Sequence, residues 1–146
     1  MSTDISDAGL ALLKQFEELR TTAYIDTGGV WTIGWGHVEG VRKGDTCTEA
    51  LATEWLRHDV RKAQNAITDL IKTPLTQAQF DALASMVFNI GVAAFRDSEL
   101  RKRVNERAFY KAVGEMTRWY WDNGKPVRGL MLRRLAEATL FMSEPF

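Results

Sequence analysis

The sequence predicts an α+β fold in which a small β lobe is inserted early into a mostly helical chain. Six of the eleven glycines stand between Gly28 and Gly44, around VWTIGWGHV, a segment with the β-branched and aromatic residues of strands. Nearly all of the chain after Gly44 instead shows apolar residues at helical spacing. We therefore expect β structure in residues 20–46 and helices on both sides of it.

Two helices are predicted to flank the β lobe. Ser6 precedes apolar residues that recur every third position, which predicts a first helix running to about Arg20. Thr46 and Glu49 have the spacing of a capping box and lead into a long helix over residues 48–72.

The rest of the chain predicts a helical lobe. Thr76 and Gln79 again have capping-box spacing and begin a helix that Gly91 ends. The remaining elements are shorter helices at 97–105 and 107–119, a turn at 122–126 and a final helix at 130–142.

We expect a single domain over residues 1–146. Its predicted parts are the β lobe at 20–46, the connecting helix at 48–72 and a helical lobe at 74–146 that includes the N-terminal helix. A cleft between the two lobes follows from this organisation.

The composition excludes several classes of protein. The chain has 19 basic and 19 acidic residues, without the basic excess that is typical of nucleic-acid binding. One cysteine and two histidines without close spacing predict no disulfide, metal site or cofactor. The most apolar stretch, residues 82–95, is too short for a membrane span, and the N-terminus lacks a signal-peptide pattern.

One acidic pair suggests glycosidic chemistry, which needs one carboxyl to donate a proton and another to activate water or attack the sugar. Glu17 and Asp26 are nine residues apart, and Thr32 follows six residues later. Spacing alone leaves two solvated carboxylates as the alternative. The predicted helical phase places Glu17 at the edge of the apolar face and Glu18 in solvent.

The segment from FEELR to AYIDTGGVWTIGWGH resembles the catalytic block of phage-type lysozymes, the T4-lysozyme-like and lambdoid endolysins. Their pattern is Glu, eight residues, Asp, five residues and Thr, followed by Ile-Gly-x-Gly-His, and this chain fills every position. The likeness continues at SMVFNIG (85–91), at RWY (118–120) and in the Arg-rich final helix.

The resemblance implies a lysozyme-like fold and an N-acetylmuramidase that hydrolyses the β-1,4 bond between N-acetylmuramic acid and N-acetylglucosamine in peptidoglycan. It assigns the general acid to Glu17, the opposing carboxylate to Asp26 and the positioning of water to Thr32. It also implies inversion at the sugar carbon. Relatives usually carry glycine where this chain has Glu18, which we interpret as a solvated neighbour of the acid.

Further site residues follow from matching the family pattern. The substrate contacts expected from this match are Val38, Phe88 and Asn89. The tryptophans are either core residues or sugar-stacking residues; they are Trp31, Trp35, Trp119 and Trp121.

Three more residues have structural interpretations beside functional ones. His37 is interpreted as a structural hydrogen-bonding residue near the base of the β lobe, with catalytic base or metal ligand as the alternatives. Arg133 and Arg134 form either a solvated pair or a group of which one member approaches the catalytic glutamate.

By this resemblance we expect a monomeric endolysin that acts on bacterial peptidoglycan at the end of a phage cycle. It is expected in the host cytoplasm when synthesised, without stable membrane insertion, and to need a holin to reach the periplasmic cell wall. Two alternatives stay open, a lytic transglycosylase and a non-catalytic wall-binding module. The presence of both Asp26 and Thr32 favours hydrolysis over transglycosylation.

Overall fold

A computed structural model of the chain describes residues 4–146 and has the predicted α+β class. In chain order the described elements are α1 (Asp7–Phe16), β1 (Arg20–Ile25), β2 (Trp31–Gly34), α2 (Glu49–Asp59), α3 (Arg61–Leu70), α4 (Gln77–Ile90), α5 (Val92–Arg96), α6 (Glu99–Asn105), α7 (Phe109–Met116), β3 (Trp121–Asp122), β4 (Lys125–Pro126) and α8 (Arg128–Phe141).

The chain forms two compact units. One is Leu13–Arg61, and the other is Lys62–Phe146 together with the N-terminal segment up to Leu12. The first unit contains β1 and β2 and buries Leu13, Ile33, Trp35 and Leu56. The second is dominated by α4 packed against α8, and its buried side chains include Phe80, Leu83, Met86, Phe95, Leu100 and Phe141. Among residues 4–146, no helix has the length and apolar character to cross a membrane.

Each strand pair is a short antiparallel hairpin. β1 pairs with β2 so that Arg20 lies opposite Gly34 and Ile25 opposite Trp31. Gly34 has φ +66°, and a Cβ there would lie 3.1 Å from Ala52 of α2, so glycine permits both the backbone turn and the approach of the helix. In the second hairpin Asp122 lies opposite Lys125.

Three predicted helix signals are confirmed. Oγ of Ser6 accepts a hydrogen bond from the Gly9 amide at 3.3 Å, as an N-cap residue does. Thr76 and Gln79 form both reciprocal bonds of a capping box at the start of α4. Gly91 ends α4 with φ 94°, a backbone conformation that residues with a Cβ rarely adopt.

The prediction that the first helix runs to Arg20 is wrong. α1 ends at Phe16, although the Glu17 amide still donates to the Leu13 carbonyl oxygen at 2.9 Å. Arg20 instead begins β1 opposite Gly34, so pairing between segments that are distant in sequence ends the helix without a glycine or proline.

The predicted capping residue of the next helix is also wrong. Thr48, not Thr46, is the N-cap residue of α2, and its hydroxyl accepts from the Leu51 amide at 3.1 Å. Thr46 instead bridges to Thr22 in the β region. Thr46 is therefore engaged in backbone pairing, and Thr48 caps the helix in its place.

Residues 48–72 do not form the single continuous helix that was predicted. They form α2 and α3 with Val60 between them. The Val60 amide still donates to the Leu56 carbonyl oxygen at 3.0 Å, and its φ and ψ of −74° and −14° remain helical. The fully buried Val60 side chain holds this turn in place. The sequence has no glycine or proline at this position that would predict the break between the two helices.

Candidate active site

The three residues with the proposed catalytic spacing all belong to the unit Leu13–Arg61. Glu17 follows the last residue of α1 and is half-buried, whereas Glu18 is exposed. The Glu18 side chain retains 78% of its solvent-accessible surface and lies 4.0 Å from the Arg20 guanidinium. Glu17 is therefore less exposed than Glu18, as expected. Both residues follow the end of α1, so the turn of the chain after the helix, and not their position around a helix, produces this difference.

Asp26 directly follows β1 and closes the loop to β2. Its Oδ1 accepts hydrogen bonds from the backbone amides of Gly28 and Val30, both at 2.9 Å. Its own backbone amide donates to the Val30 carbonyl oxygen at 2.9 Å. One carboxylate oxygen thus holds the loop in place, and no hydrogen bond within residues 4–146 uses Oδ2.

Thr32 lies on β2 opposite Tyr24 and is 3% exposed. Its hydroxyl donates to the Val30 carbonyl oxygen at 2.9 Å. A hydroxyl that donates its hydrogen keeps its lone pairs as acceptors. Because Asp26 and Thr32 both bond to the backbone of Val30, the hairpin fixes these two side chains relative to one another.

His37 is buried at the end of the same β region. Its backbone pairs with Ile33, and its Nδ1 lies 2.9 Å from Oδ2 of Asp59. Its ring stacks on Trp55 with centroids 4.6 Å apart and planes 9° from parallel. These contacts join the β region to α2, which is the kind of role expected of a structural histidine.

One group of side chains has atoms close enough to share a metal ion in the part of the chain that the structure describes. It consists of Glu39, His58 and Asp59, whose candidate ligand atoms lie within 4.8 Å of one another. Nε2 of His58 already lies 3.1 Å from Glu39, and Asp59 already pairs with His37. Ion pairing accounts for this group, and it carries no role in the chemistry below.

Arg133 and Arg134 are not a solvated pair, since their exposed fractions are 3% and 1%. Nε of Arg133 donates to Oε2 of Glu137 at 3.2 Å. Nε of Arg134 lies 2.8 Å from Oε1 of Glu137, an ion pair whose N–H is not aligned for a hydrogen bond. The hydroxyl of Ser85 donates to Oε2 of Glu137 at 2.6 Å and so joins α4 to α8.

Burial shifts the titration of this cluster. It raises the pKa of Glu137, while the charge of Arg134, the hydrogen bond from Ser85 and the charge of Arg133 oppose the rise. Burial also lowers the pKa of the Arg134 guanidinium, an effect that the Glu137 charge opposes. The cluster thus holds two guanidinium groups around one buried carboxyl.

The expected substrate contacts are divided between the two units. Val38 is 49% exposed in the unit Leu13–Arg61. Phe88 is half-buried and Asn89 is exposed near the end of α4, in the other unit. Oδ1 of Asn89 accepts a hydrogen bond from Nη2 of Arg134 at 2.8 Å, so the structure brings these two predicted residues together.

The four tryptophans proposed as core or stacking residues differ in burial. Trp35 is 4% exposed and has Lys14 Nζ 4.6 Å from its ring centroid, so it belongs to the core. Trp31 and Trp119 are half-buried, whereas Trp121 is 56% exposed. Only Trp121 therefore has the exposure of a stacking platform.

Sequence reasoning missed the partners of the candidate residues. Glu137 carried a usable signal, because it stands three and four residues after the two arginines on one helix. Ser85 and Asp59 carried none, since each meets its partner only across tertiary contacts.

Comparisons with known proteins show the family of the chain. A family model described as phage lysozyme matches residues 14–137. This range includes Glu17, Asp26 and Thr32. The chain therefore belongs to the phage lysozyme family, as the sequence resemblance predicted.

Individual relatives cover most of the chain. The endolysin of Acyrthosiphon pisum secondary endosymbiont phage 1 is 43% identical over 143 residues, which are 95% of this chain and 98% of that protein. The endolysin of Bacillus phage B103 is 40% identical over 96% of this chain, but the chain spans only 54% of that relative's length. The muramidase domain of SpmX from Asticaccaulis excentricus is 41% identical, with a TM-score of 0.91 over 97% of this chain and 99% of that domain.

Proposed function

We propose that this protein is an endolysin that cleaves peptidoglycan as an N-acetylmuramidase. Its membership of the phage lysozyme family makes it a peptidoglycan-cleaving enzyme. The finer assignment is hydrolysis of the β-1,4 bond between N-acetylmuramic acid and N-acetylglucosamine. The observation that carries it is the attachment of Asp26 and Thr32 to Val30, at the family's spacing from Glu17.

In the proposed first event, the protonated carboxyl of Glu17 donates its proton to the glycosidic oxygen. The bond between that oxygen and the sugar carbon C1 breaks, and its electron pair leaves with the oxygen. Because Glu17 is half-buried, its carboxyl is partly withdrawn from water, in keeping with a general acid. Exposed Glu18 lacks this environment.

Water supplies the new bond in the second event. The Thr32 hydroxyl accepts a hydrogen bond from the water, and Oδ2 of Asp26 takes a proton from it as its oxygen attacks C1. Attack on the face opposite the leaving group inverts C1. Transfer of the proton from Asp26 to solvent, and reprotonation of Glu17, complete the cycle, and one water is consumed for each bond cleaved.

The test compares wild type with Glu17→Gln on a suspension of bacteria stripped of their outer membrane. Wild type should clear the suspension, and Glu17→Gln should keep its circular-dichroism spectrum but lose nearly all clearing. Mass spectrometry of the products separates hydrolysis from transglycosylation. Muramyl products with an intact reducing end support the proposal, whereas 1,6-anhydro products would sink it.

The cellular part of the proposal follows the family resemblance. The protein accumulates as a monomer in the host cytoplasm and reaches the periplasmic wall after a holin opens the membrane. Expression in a bacterial host with and without an added holin tests this step. Lysis only with the holin is the expected result, and lysis at the same time without it contradicts holin dependence.

A further inference from the structure

The α8 helix presents apolar side chains to solvent and buries its charged ones, which is the reverse of the usual arrangement in a surface helix. Met131, Leu132 and Leu135 are 39%, 49% and 55% exposed. The charged residues Arg134 and Glu137 of the same helix are 1% and 0% exposed. Because exposed apolar side chains that lie together are typical of interaction sites, this part of α8 is a candidate binding surface.

The exposed apolar residues of α8 form one continuous surface. Leu135 lies three and four positions after Leu132 and Met131, so the three side chains are neighbours on the helix, and we call them the outer face of α8. Thr117 and Tyr120, which follow α7, line a groove of about 260 Å³ together with Met131 and Leu135. The groove extends the apolar surface beyond the helix, and the proposed reaction steps use none of these residues.

Two arginines border the outer face. Arg128 is exposed one turn before it, and no ion pair among residues 4–146 engages the Arg128 guanidinium. Arg118, beside the groove, has a side chain that is 75% exposed and lies 3.7 Å from the carboxylate of Glu115, which is 20% exposed. The one carboxylate of α8 itself, on Glu137, is buried.

The neighbouring hairpin does not change this balance of charge. Its exposed Lys125 lies opposite exposed Asp122, so one charge offsets the other. The charge next to the outer face is therefore positive, which favours a partner with a negatively charged surface.

We propose that the outer face of α8 binds peripherally to the surface of an anionic phospholipid bilayer, a function that goes beyond the proposed cleavage of peptidoglycan and does not depend on it. The leucine and methionine side chains enter the boundary between the headgroups and the acyl chains. Arg118 and Arg128 stay at the level of the headgroups and donate hydrogen bonds to phosphate oxygens. α8 lies along the surface and does not cross the bilayer, since no helix of residues 4–146 could do so.

Charge and size favour a bilayer over a second copy of the chain. In a symmetric contact between two copies the same patch meets itself, so the arginines at the border of one outer face would approach those of the other. Stable interfaces also use about 20–30 residues on each side, many more than this face offers. A bilayer accepts a small apolar patch, and its anionic headgroups add attraction to each nearby arginine.

The experiment is sedimentation of the full chain with lipid vesicles in the absence of peptidoglycan. Vesicles of phosphatidylglycerol and phosphatidylcholine in equal parts should bind the protein, and added salt should weaken this binding. Vesicles of phosphatidylcholine alone should bind little. Leu132→Ser and Leu135→Ser should each weaken binding to the anionic vesicles about tenfold, and Arg128→Gln about fivefold.

Leu51→Ser is the matched control, because Leu51 is a 37% exposed leucine of α2, in the other unit, and should not affect binding. Thermal unfolding checks that each variant folds. Equal binding to both kinds of vesicle, or equal binding by wild type and the three α8 variants, overturns the proposal. A dimer seen by light scattering that Leu135→Ser disrupts, without vesicle binding, overturns it in favour of a contact between copies.

Wall clearing by the same preparations tests the two proposals separately. Clearing without binding to anionic vesicles overturns lipid binding and leaves the endolysin function intact. Vesicle binding that depends on Leu132 and Leu135, without clearing, supports lipid binding and overturns the endolysin function.

Discussion

Asp26 and Val30 are joined by two reciprocal hydrogen bonds, in which Oδ1 of Asp26 accepts from the Val30 amide and the Val30 carbonyl oxygen accepts from the Asp26 amide, each at 2.9 Å. Asp26 is thus both a loop-closing residue and a candidate catalytic carboxylate. Because the loop uses only Oδ1, the structural and chemical roles of the side chain can be tested separately.

Asp26→Asn should separate these roles. An asparagine Oδ1 can accept the same bonds from Gly28 and Val30, so the melting temperature should stay close to that of wild type. Activity should fall by about 10²-fold to 10⁴-fold, because an amide cannot take a proton from water. Turbidity clearing and thermal unfolding measure the two effects.

Asp26→Ala is the control for that prediction, because it removes both loop bonds and should lower stability by about 1–2 kcal/mol in addition. An Asp26→Asn variant that keeps wild-type clearing would show that the carboxylate is only a loop residue.

Glu18 should be dispensable although it adjoins the proposed acid. Its side chain is 78% exposed, and its Oε2 lies 4.0 Å from Nη1 of Arg20. Glu18→Gln, and Glu18→Gly, which restores the residue usual in the family, should clear walls at close to the wild-type rate. Rates for both variants are compared with Glu17→Gln in one assay, and equal loss in Glu17→Gln and Glu18→Gln refutes the choice of Glu17.

The Thr32 hydroxyl should matter for hydrolysis more than for wall binding. Thr32→Val keeps the shape of this 3% exposed side chain but removes its hydrogen bond to the Val30 carbonyl oxygen, at a cost of about 1 kcal/mol in stability. Sedimentation with purified walls measures binding, and clearing measures turnover. Thr32→Ser keeps the hydroxyl and should retain most of the activity; loss of wall binding parallel to activity would argue against a role in positioning water.

The buried Glu137 should be a large contributor to stability. Glu137→Ala leaves the buried Arg134 guanidinium without its carboxylate, which costs about 3–5 kcal/mol. Urea unfolding measures the loss. Glu144→Ala, at an exposed site in the same unit, is the comparison and should change stability by less than about 0.5 kcal/mol; a similarly small effect at Glu137 would contradict the prediction.

The same carboxyl should leave a signature in the pH dependence of stability. Burial raises the pKa of Glu137, so the folded chain holds this proton more tightly than the unfolded chain. The contribution of Glu137 to the unfolding free energy should therefore fall as pH rises from the ordinary glutamate pKa, about 4.3, through the raised folded-state pKa.

Urea unfolding at several pH values, with Glu137→Gln in parallel, isolates this contribution because the variant lacks the titrating group. The wild-type value minus the variant value should decline with rising pH in that window. A difference that grows with pH would mean that the two arginines outweigh burial and lower the pKa.

Features set by neighbouring residues could be predicted from the sequence. The capping box of Thr76 and Gln79 and the end of α4 at Gly91 each depend on hydrogen bonds or backbone angles within a few positions. The α+β class and the spacing of the candidate catalytic residues could also be predicted, because both depend on the order of residues along the chain.

Competition between distant segments was decided only by the tertiary structure. α1 ends at Phe16 because Arg20 pairs with Gly34. The helical spacing of apolar residues before Arg20 does not predict that pairing. Glu17 is half-buried, as predicted. The prediction assumed that α1 continues through Glu17, whereas the helix ends one residue earlier.

The sequence by itself therefore determined the composition of the candidate site, namely Glu17, Asp26 and Thr32 at fixed intervals along the chain. The tertiary structure decided the environment of other candidate residues. It buried Arg134 between Glu137 and Asn89, and it placed Asp59 against His37. The physical reason is that a local pattern records bonds between near neighbours, whereas burial and the choice of a distant ion-pair partner exist only after the helices have packed.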